Sequence, residues 1–272
     1  MHDILKGKIV PVSSLNSSNR SAMYGLMECY YDNIDWERFN SDLNEKKDVI
    51  LLLAGKDEKI KGFSTLMHVE TVVNGRKSRA IFSGDTVVDE AYWGQRILGR
   101  MFLSYLFTQK IKNPLLPLYW LLISKGYKTY LLMANNFIEH YPRHEKSTPK
   151  NKQKLIDTFA TQLFGDSYCE ETGCCQFPES LGQLREGVAP LEKKEVDGNS
   201  RIQFFLENNP GWIEGEELVC LARMSWSMPV SYLAKSWWKL VAAPWVKQEV
   251  DELKEQPTNA QASVDSKLEH QS

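Results

Sequence analysis

Residues 89–103 read DEAYWGQRILGRMFL, and Gly94, Gln95, Arg96, Gly99 and Arg100 are the groups in it that could hold an anion. Glycine lets a backbone turn through positive φ and come close to a ligand. A helix that begins here has unpaired N–H groups and a partial positive charge at its first turn, and a phosphate accepts both. Arg96 and Arg100 would add a charge-assisted clamp. The stretch reads equally as an ordinary turn into a buried helix. Proton transfer has its own candidates: Asp85 in FSGDTVV, His68 beside Met67, and Glu139 and His140 in EHYPRH. A desolvated carboxylate has a raised pKa and becomes a better base near neutral pH. Asp85 also reads as a turn or bulge residue beside Gly84, His68 as a packing residue of a strand, and EHYPRH as a solvated loop.

The five cysteines offer less. Cys29 and Cys220 stand in apolar, patterned stretches and read as small core residues. Cys169, Cys174 and Cys175 share DSYCEETGCCQFP. An odd count with no signal peptide argues against a disulfide framework. No two separated ligand pairs or histidines stand at metal spacing, so no metal site is expected.

The elements that must position these residues follow from periodicity. Residues 20–34 carry Met23, Leu26, Met27, Tyr30 and Tyr31 at helical spacing after NSSN, which supplies caps. Residues 48–55 are a short apolar run bounded by charge and glycine, a buried strand. Residues 60–73 and 78–89 form strands joined at Asn74-Gly75, a strong hairpin signal. Leu98, Met101, Phe102, Tyr105 and Leu106 mark a helix face that runs to about Lys110 and stops at Asn113-Pro114. Residues 118–125 are another buried strand, 126–137 a helix, and 151–165 an amphipathic helix ending in glycine. RIQFFLEN and EELVCLARM, separated by NPGWIEG, read as a late hairpin. The expected fold class is mixed α/β: a central mixed sheet flanked by helices, with a C-terminal helical extension.

The totals bound the function. A chain of 272 residues suits one large domain or one domain with appendages. A net charge of -2 argues against a nucleic-acid partner, since phosphate neutralisation needs a basic face. No signal segment is visible and the longest apolar stretch, residues 114–123, is too short to span a bilayer, so a cytoplasmic protein is expected. Residues 226–255 are rich in Trp and Lys and read as helical, and residues 256–272 as a disordered tail. The Trp/Lys segment either covers the core with lysine stems outward, or meets a membrane surface or an acidic carrier protein. Membrane contact is the lesser expectation.

The order of elements, with a glycine-bearing turn between a strand and a helix, resembles the GCN5-related N-acetyltransferase (GNAT) superfamily across residues 8–225. The acyl-CoA pyrophosphate loop of that family reads Gln/Arg-x-x-Gly-x-Gly/Ala. Here AYWGQRILGRMF keeps Tyr92, Gly94, Gly99 and the apolar helix start, with Met101 where a small residue is usual. The resemblance implies an acyltransferase domain over residues 1–225. It would move an acyl group from acetyl-CoA or a longer acyl-CoA, or from an acyl-carrier protein, to a small-molecule or peptide amine by direct attack on the thioester. It assigns Gly94, Gln95, Arg96, Gly99 and Arg100 to the pyrophosphate. It assigns the backbone of Thr86, Val87 and Val88 to the pantetheine arm, and Tyr130 to protonation of the leaving thiolate, with Asp85 the first candidate base. Tyr130 reads alternatively as a core aromatic. The alternative for the whole chain is a non-catalytic module of the same fold that binds a ligand or partner.

Overall fold

In the computed structural model of the protein, residues 4–177, 183–184, 196 and 198–227 are described. The elements run β1 (Lys6–Pro11), α1 (Ser17–Glu28), β2 (Tyr31–Asp32), α2 (Trp36–Glu45), β3 (Asp48–Ala54), β4 (Lys59–Val73), β5 (Arg76–Val88), α3 (Ile97–Lys112), β6 (Leu118–Ser124), α4 (Tyr127–Asn136), β7 (His140–Tyr141), α5 (Lys150–Phe164), β8 (Tyr168–Cys169), β9 (Cys174–Cys175), β10 (Gln183–Leu184), α6 (Ser200–Asn208) and β11 (Glu217–Arg223). Met1–Ser225 forms one compact unit. The expected extension (226–255), beyond its first two residues, and the tail (256–272) lie outside the described residues.

Local chemistry accounts for most boundaries. Asn16 and Asn19 cap α1 reciprocally, each side chain taking the other's backbone N–H. Asp35 accepts from the Arg38 N–H at 2.8 Å and opens α2. Asn74 and Gly75 have φ of 52° and 74°, the left-handed pair that a two-residue hairpin between β4 and β5 requires.

The main sheet is ordered β1-β3-β4-β5-β6-β11-β9-β8, with β7 beside β11. All its pairs are antiparallel except β5 and β6, which run parallel with α3 as the crossover. This is the mixed α/β sheet that the order of elements predicts. Alternation sorts the strand residues onto two faces. On one, α1 and α2 bury Met23, Phe39 and Leu43 against Leu51, Phe63 and Val87, and α5 buries Ile156 and Phe159 against Ala80, Leu121 and Val219. On the other, Trp120 of β6 packs against Phe102 of α3 (4.8 Å between centroids) and against Phe137 (5.1 Å). Each such side chain stabilises the fold by roughly 1.5–3 kcal/mol on burial.

Three expectations are corrected. RIQFFLEN is not the first strand of a hairpin but helix α6: Asn199 caps it by accepting from the Arg201 N–H at 3.0 Å, and Ile202 and Phe205, three apart, are its buried residues. NPGWIEG then turns the chain into β11, with Gly215 at φ 96°. The first helix ends at Glu28 rather than near Ile34, since the chain passes into β2 and a left-handed Asn33 (φ 57°). Cys29 is exposed at that helix end, whereas Cys220 is buried.

Candidate active site

Loop 89–96 is held from several sides. Asp89 caps the Ala91 N–H at 3.1 Å and pairs with Lys61 at 2.9 Å. The Tyr30 hydroxyl accepts from the Glu90 N–H at 2.7 Å, tying α1's C-terminal side to the loop. Gly94 takes φ 87°, and Arg96, the N-cap of α3, takes φ 58°, a left-handed turn that aims the chain into the helix. No side chain caps α3, so the positive end of its dipole is not offset by a capping side chain. Arg96 and Arg100 stand beside it, both exposed. A Cβ on Gly99 would meet nothing within 4 Å, so the helix surface there is open. Gln95 plays a structural part: its side-chain carbonyl accepts from the Leu5 N–H at 2.9 Å and pins the N-terminal segment to the loop. A cleft of about 160 Å³ lies here, lined by Leu5, Leu52, Val88, Trp93, Arg96 and Leu98 among others. Met101, standing where a small residue is usual, packs against β1 at Gly7, where its side chain fills the space a Cβ would need.

The strand before the loop is splayed from its parallel partner. β5 pairs with β6 from Arg79–Leu118 to Phe82–Leu121 and no further, while β5 stays paired to β4 as far as Val88. The backbone edge of 83–88 that faces β6 therefore borders a gap. Two acceptors of this stretch are already engaged: the Val88 carbonyl accepts from the Trp93 indole N–H at 2.8 Å and the Gly84 carbonyl from the Thr86 hydroxyl at 3.1 Å. Thr86 Oγ1 lies 2.8 Å from Ser64 Oγ and 3.1 Å from the Gly84 carbonyl. Val87 faces α1 and α2 and is buried.

A β-bulge opens the same strand. Ser64 pairs with Thr86 but Leu66 pairs with Ser83, so Gly84 and Asp85 together oppose Thr65. A Cβ on Gly84 would lie 2.7 Å from Thr65 Oγ1, so only glycine fits. The bulge brings Asp85 into one electrostatic group with residues from four other segments. Burial raises the Asp85 carboxyl pKa; the Lys46 and Lys125 charges oppose this and Asp42 adds to it. Burial also raises Glu217 of β11, against its ion pair with Lys125 at 3.4 Å, and Asp85 pushes it the same way. Tyr31 of β2 is pushed up to about 12 by burial and by the Asp85 and Glu217 charges. Burial thus makes both carboxylates bind protons more readily than usual and leaves the Tyr31 phenol holding its proton. Sequence spacing could not bring Tyr31, Lys125 and Glu217 to Asp85.

The remaining candidates stand elsewhere. Tyr130 is 1% exposed; its hydroxyl donates to the Pro142 carbonyl at 3.3 Å and its ring packs on Phe205, with centroids 5.8 Å apart. Burial raises its pKa, with Cys220 and Glu145 adding to this and Arg201 and Arg143 opposing it, whereas Asp85 responds to Lys46, Asp42 and Lys125. His68 is lowered to about 4 by burial and lies 2.5 Å from the Tyr105 hydroxyl, which in turn donates to Asp48 at 2.5 Å. Burial pushes the Glu139 carboxyl up, but Lys152 at 2.6 Å and Arg223 at 3.3 Å outweigh it and hold it below the usual value. His140 is buried, with Nδ1 2.8 Å from the Phe137 carbonyl, and its pKa is lowered by burial. Among the described residues, no helix is long and apolar enough to cross a membrane.

No protein-family model and no curated protein matches the chain. Similar solved structures include a probable N-acyltransferase from Enterococcus faecalis V583, with 15% identity, a TM-score of 0.37, and 47% of this chain and 32% of that one covered. A GCN5-related N-acetyltransferase from Kribbella flavida matches at 10% identity and a TM-score of 0.37, covering 50% of this chain and 34% of that one. The ribosomal-protein-S18-alanine N-acetyltransferase of Escherichia coli matches at 17% identity and a TM-score of 0.34, covering 52% and 88%. The chain spans about a third of the length of the first two. The chain's own geometry is a mixed sheet with one parallel pair and a glycine-bearing loop entering the crossover helix.

Proposed function

We propose that the protein is an acyltransferase that moves an acyl group from acyl-CoA to an amine. The observation that carries this is the gap at 83–88: the parallel pairing of β5 with β6 stops at Phe82, and the freed edge leads directly into a left-handed loop and an uncapped helix. That geometry suits a ligand with an extended amide-bearing arm and a pyrophosphate. The arm pairs with strand backbone, and the phosphates meet the α3 N–H groups with Arg96 and Arg100. Acetyl-CoA and longer acyl-CoA fit this description equally, as does a carrier-protein phosphopantetheine for the arm.

The chemistry falls to the bulge. The amine nitrogen attacks the thioester carbonyl, the C–N bond forms and the C–S bond breaks. Asp85 takes the proton from the amine, with Glu217 as its neighbour in the same field, and Tyr31 supplies a proton to the departing thiolate. Burial supports these roles because it raises both carboxylates and keeps the phenol protonated. The acidic surroundings favour a cationic acceptor, a small amine or a peptide amino group.

A second reading, a binding module without turnover, is favoured by the Trp93–Val88 contact, which occupies one backbone acceptor of the edge. Isothermal titration with CoA and acyl-CoAs, followed by thioester-cleavage assays against a panel of amines, separates the two. Binding with amine-dependent thiol release is expected; binding without release supports the module. Absence of binding by any CoA thioester at millimolar concentration removes free CoA as donor.

A further inference from the structure

Cys169 and Cys174 are directly opposite one another in the antiparallel pair of β8 and β9. Residues so placed share a face of the ribbon and have Cα atoms about 4.5–5.5 Å apart, within the roughly 4.4–6.8 Å that a disulfide spans. The other pair in the ribbon, Tyr168 and Cys175, points the opposite way into the core beneath α5. Cys175 is thereby kept from both neighbouring thiols.

The two sulfurs are also chemically unlike. Cys169 is exposed. The backbone N–H groups of Thr172 and Glu171 and the Thr172 hydroxyl are hydrogen-bonded to its sulfur, which lowers its pKa and favours the thiolate. Cys174 is buried, its thiol raised to about 11 by burial. Its Sγ donates towards the Thr172 carbonyl at 3.7 Å and the Asn208 carbonyl at 3.4 Å. Both sulfurs thus engage Thr172, at the tip of a turn where Gly173 takes φ 70°. An exposed thiol with a second thiol directly opposite across a short ribbon is the arrangement of an attacking and a resolving cysteine.

We propose that Cys169 and Cys174 are a redox pair that a hydroperoxide converts to a disulfide. The Cys169 thiolate attacks the peroxide, its sulfur is oxidised to the sulfenic acid, and the O–O bond breaks with release of hydroxide or alcohol. The Cys174 thiol then displaces water from that sulfenic acid, and the S–S bond forms; a dithiol reductant reverses the change. This pair lies on the ribbon whose β9 strand pairs with β11, and its chemistry needs no acyl transfer.

The consequence reaches β11. Asn209, next to Asn208, is fully buried and donates to the Ser124 and Glu216 carbonyls at 3.4 and 3.0 Å. Drawing Cys174 towards Cys169 takes its thiol from Asn208, at the junction that leads to Glu217.

The test uses the full chain. It is treated with hydrogen peroxide at low molar excess, blocked with a maleimide, cleaved after glutamate and read by mass spectrometry. Cleavage at Glu170 and Glu171 separates the two cysteines. The expected result is the loss of two blockable thiols and one linked peptide pair, Cys169 to Cys174, restored by dithiothreitol. Cys175→Ser should give the same link, and Cys169→Ser should slow Cys174 oxidation by at least about tenfold. Conversion of wild-type Cys169 to sulfinic acid while Cys174 stays blockable would overturn the proposal, as would a link through Cys175 or Cys29. Because the readout is the bond itself, its failure says nothing against acyl transfer, and failure of acyl transfer says nothing against the pair.

Discussion

The indole N–H of Trp93 donates to the carbonyl of Val88 at 2.8 Å, so a side chain of the loop occupies an acceptor on the strand edge beside the gap. If an acyl-CoA arm uses that edge, the two compete. Trp93→Phe keeps a ring and removes the donor. CoA affinity, measured by titration calorimetry, is expected to rise about fivefold, which corresponds to about 1 kcal/mol for one hydrogen bond. Unchanged affinity would place the arm away from Val88.

Gly99→Asp tests the phosphate assignment. The residue has helical backbone and open space at its Cβ position, so the fold tolerates the change and the melting temperature should move little. A carboxylate in the first turn of α3 repels a pyrophosphate. CoA binding is expected to be lost, and retention of wild-type affinity would sink the assignment.

Asp85 gives a pH signature. Its pKa is raised in the fold by burial, so the folded state binds the proton more tightly than the unfolded chain. Its contribution to stability therefore falls as pH rises from the ordinary carboxylate value through the raised one. Asp85→Asn should stabilise the protein at neutral pH, by about 1 kcal/mol, while leaving it unchanged or weaker in acid. The same variant should remove the acidic limb of the pH–rate profile of acyl transfer. A profile that keeps that limb would move the base to Glu217 or beyond.

Two tyrosines can be told apart by what each loses. Tyr130→Phe removes a hydrogen bond to Pro142 inside the core and should cost about 1 kcal/mol of stability, with little effect on kcat. Tyr31→Phe, which removes the phenol that feels the Asp85 and Glu217 charges, should lower kcat by at least about tenfold with KM nearly unchanged. The reverse pattern would restore Tyr130 as the acid.

By itself the sequence determined the frame: the β4–β5 hairpin from Asn74-Gly75, the buried strands from their apolar runs, and α3 between β5 and β6 from its periodicity and the stop at Asn113-Pro114. These are local signals, written in turn chemistry and in periods of two and 3.6. The loop at 89–103 was equally visible as a glycine-bearing turn, but its Gln95 was legible only as a ligand residue, not as the anchor of Leu5. Local signals failed where two structures share a pattern. RIQFFLEN suits strand or helix, and only the Asn199 cap and the packing of Ile202 and Phe205 decided for helix. Helix α2 escapes the periodicity reading although Asp35 and the Phe39–Leu43 spacing mark it. The grouping of Tyr31, Asp85, Lys125 and Glu217 belongs to tertiary structure alone. A bulge in β5 and the antiparallel return of β11 bring together charges scattered along the chain, and burial at that meeting point sets their proton affinities.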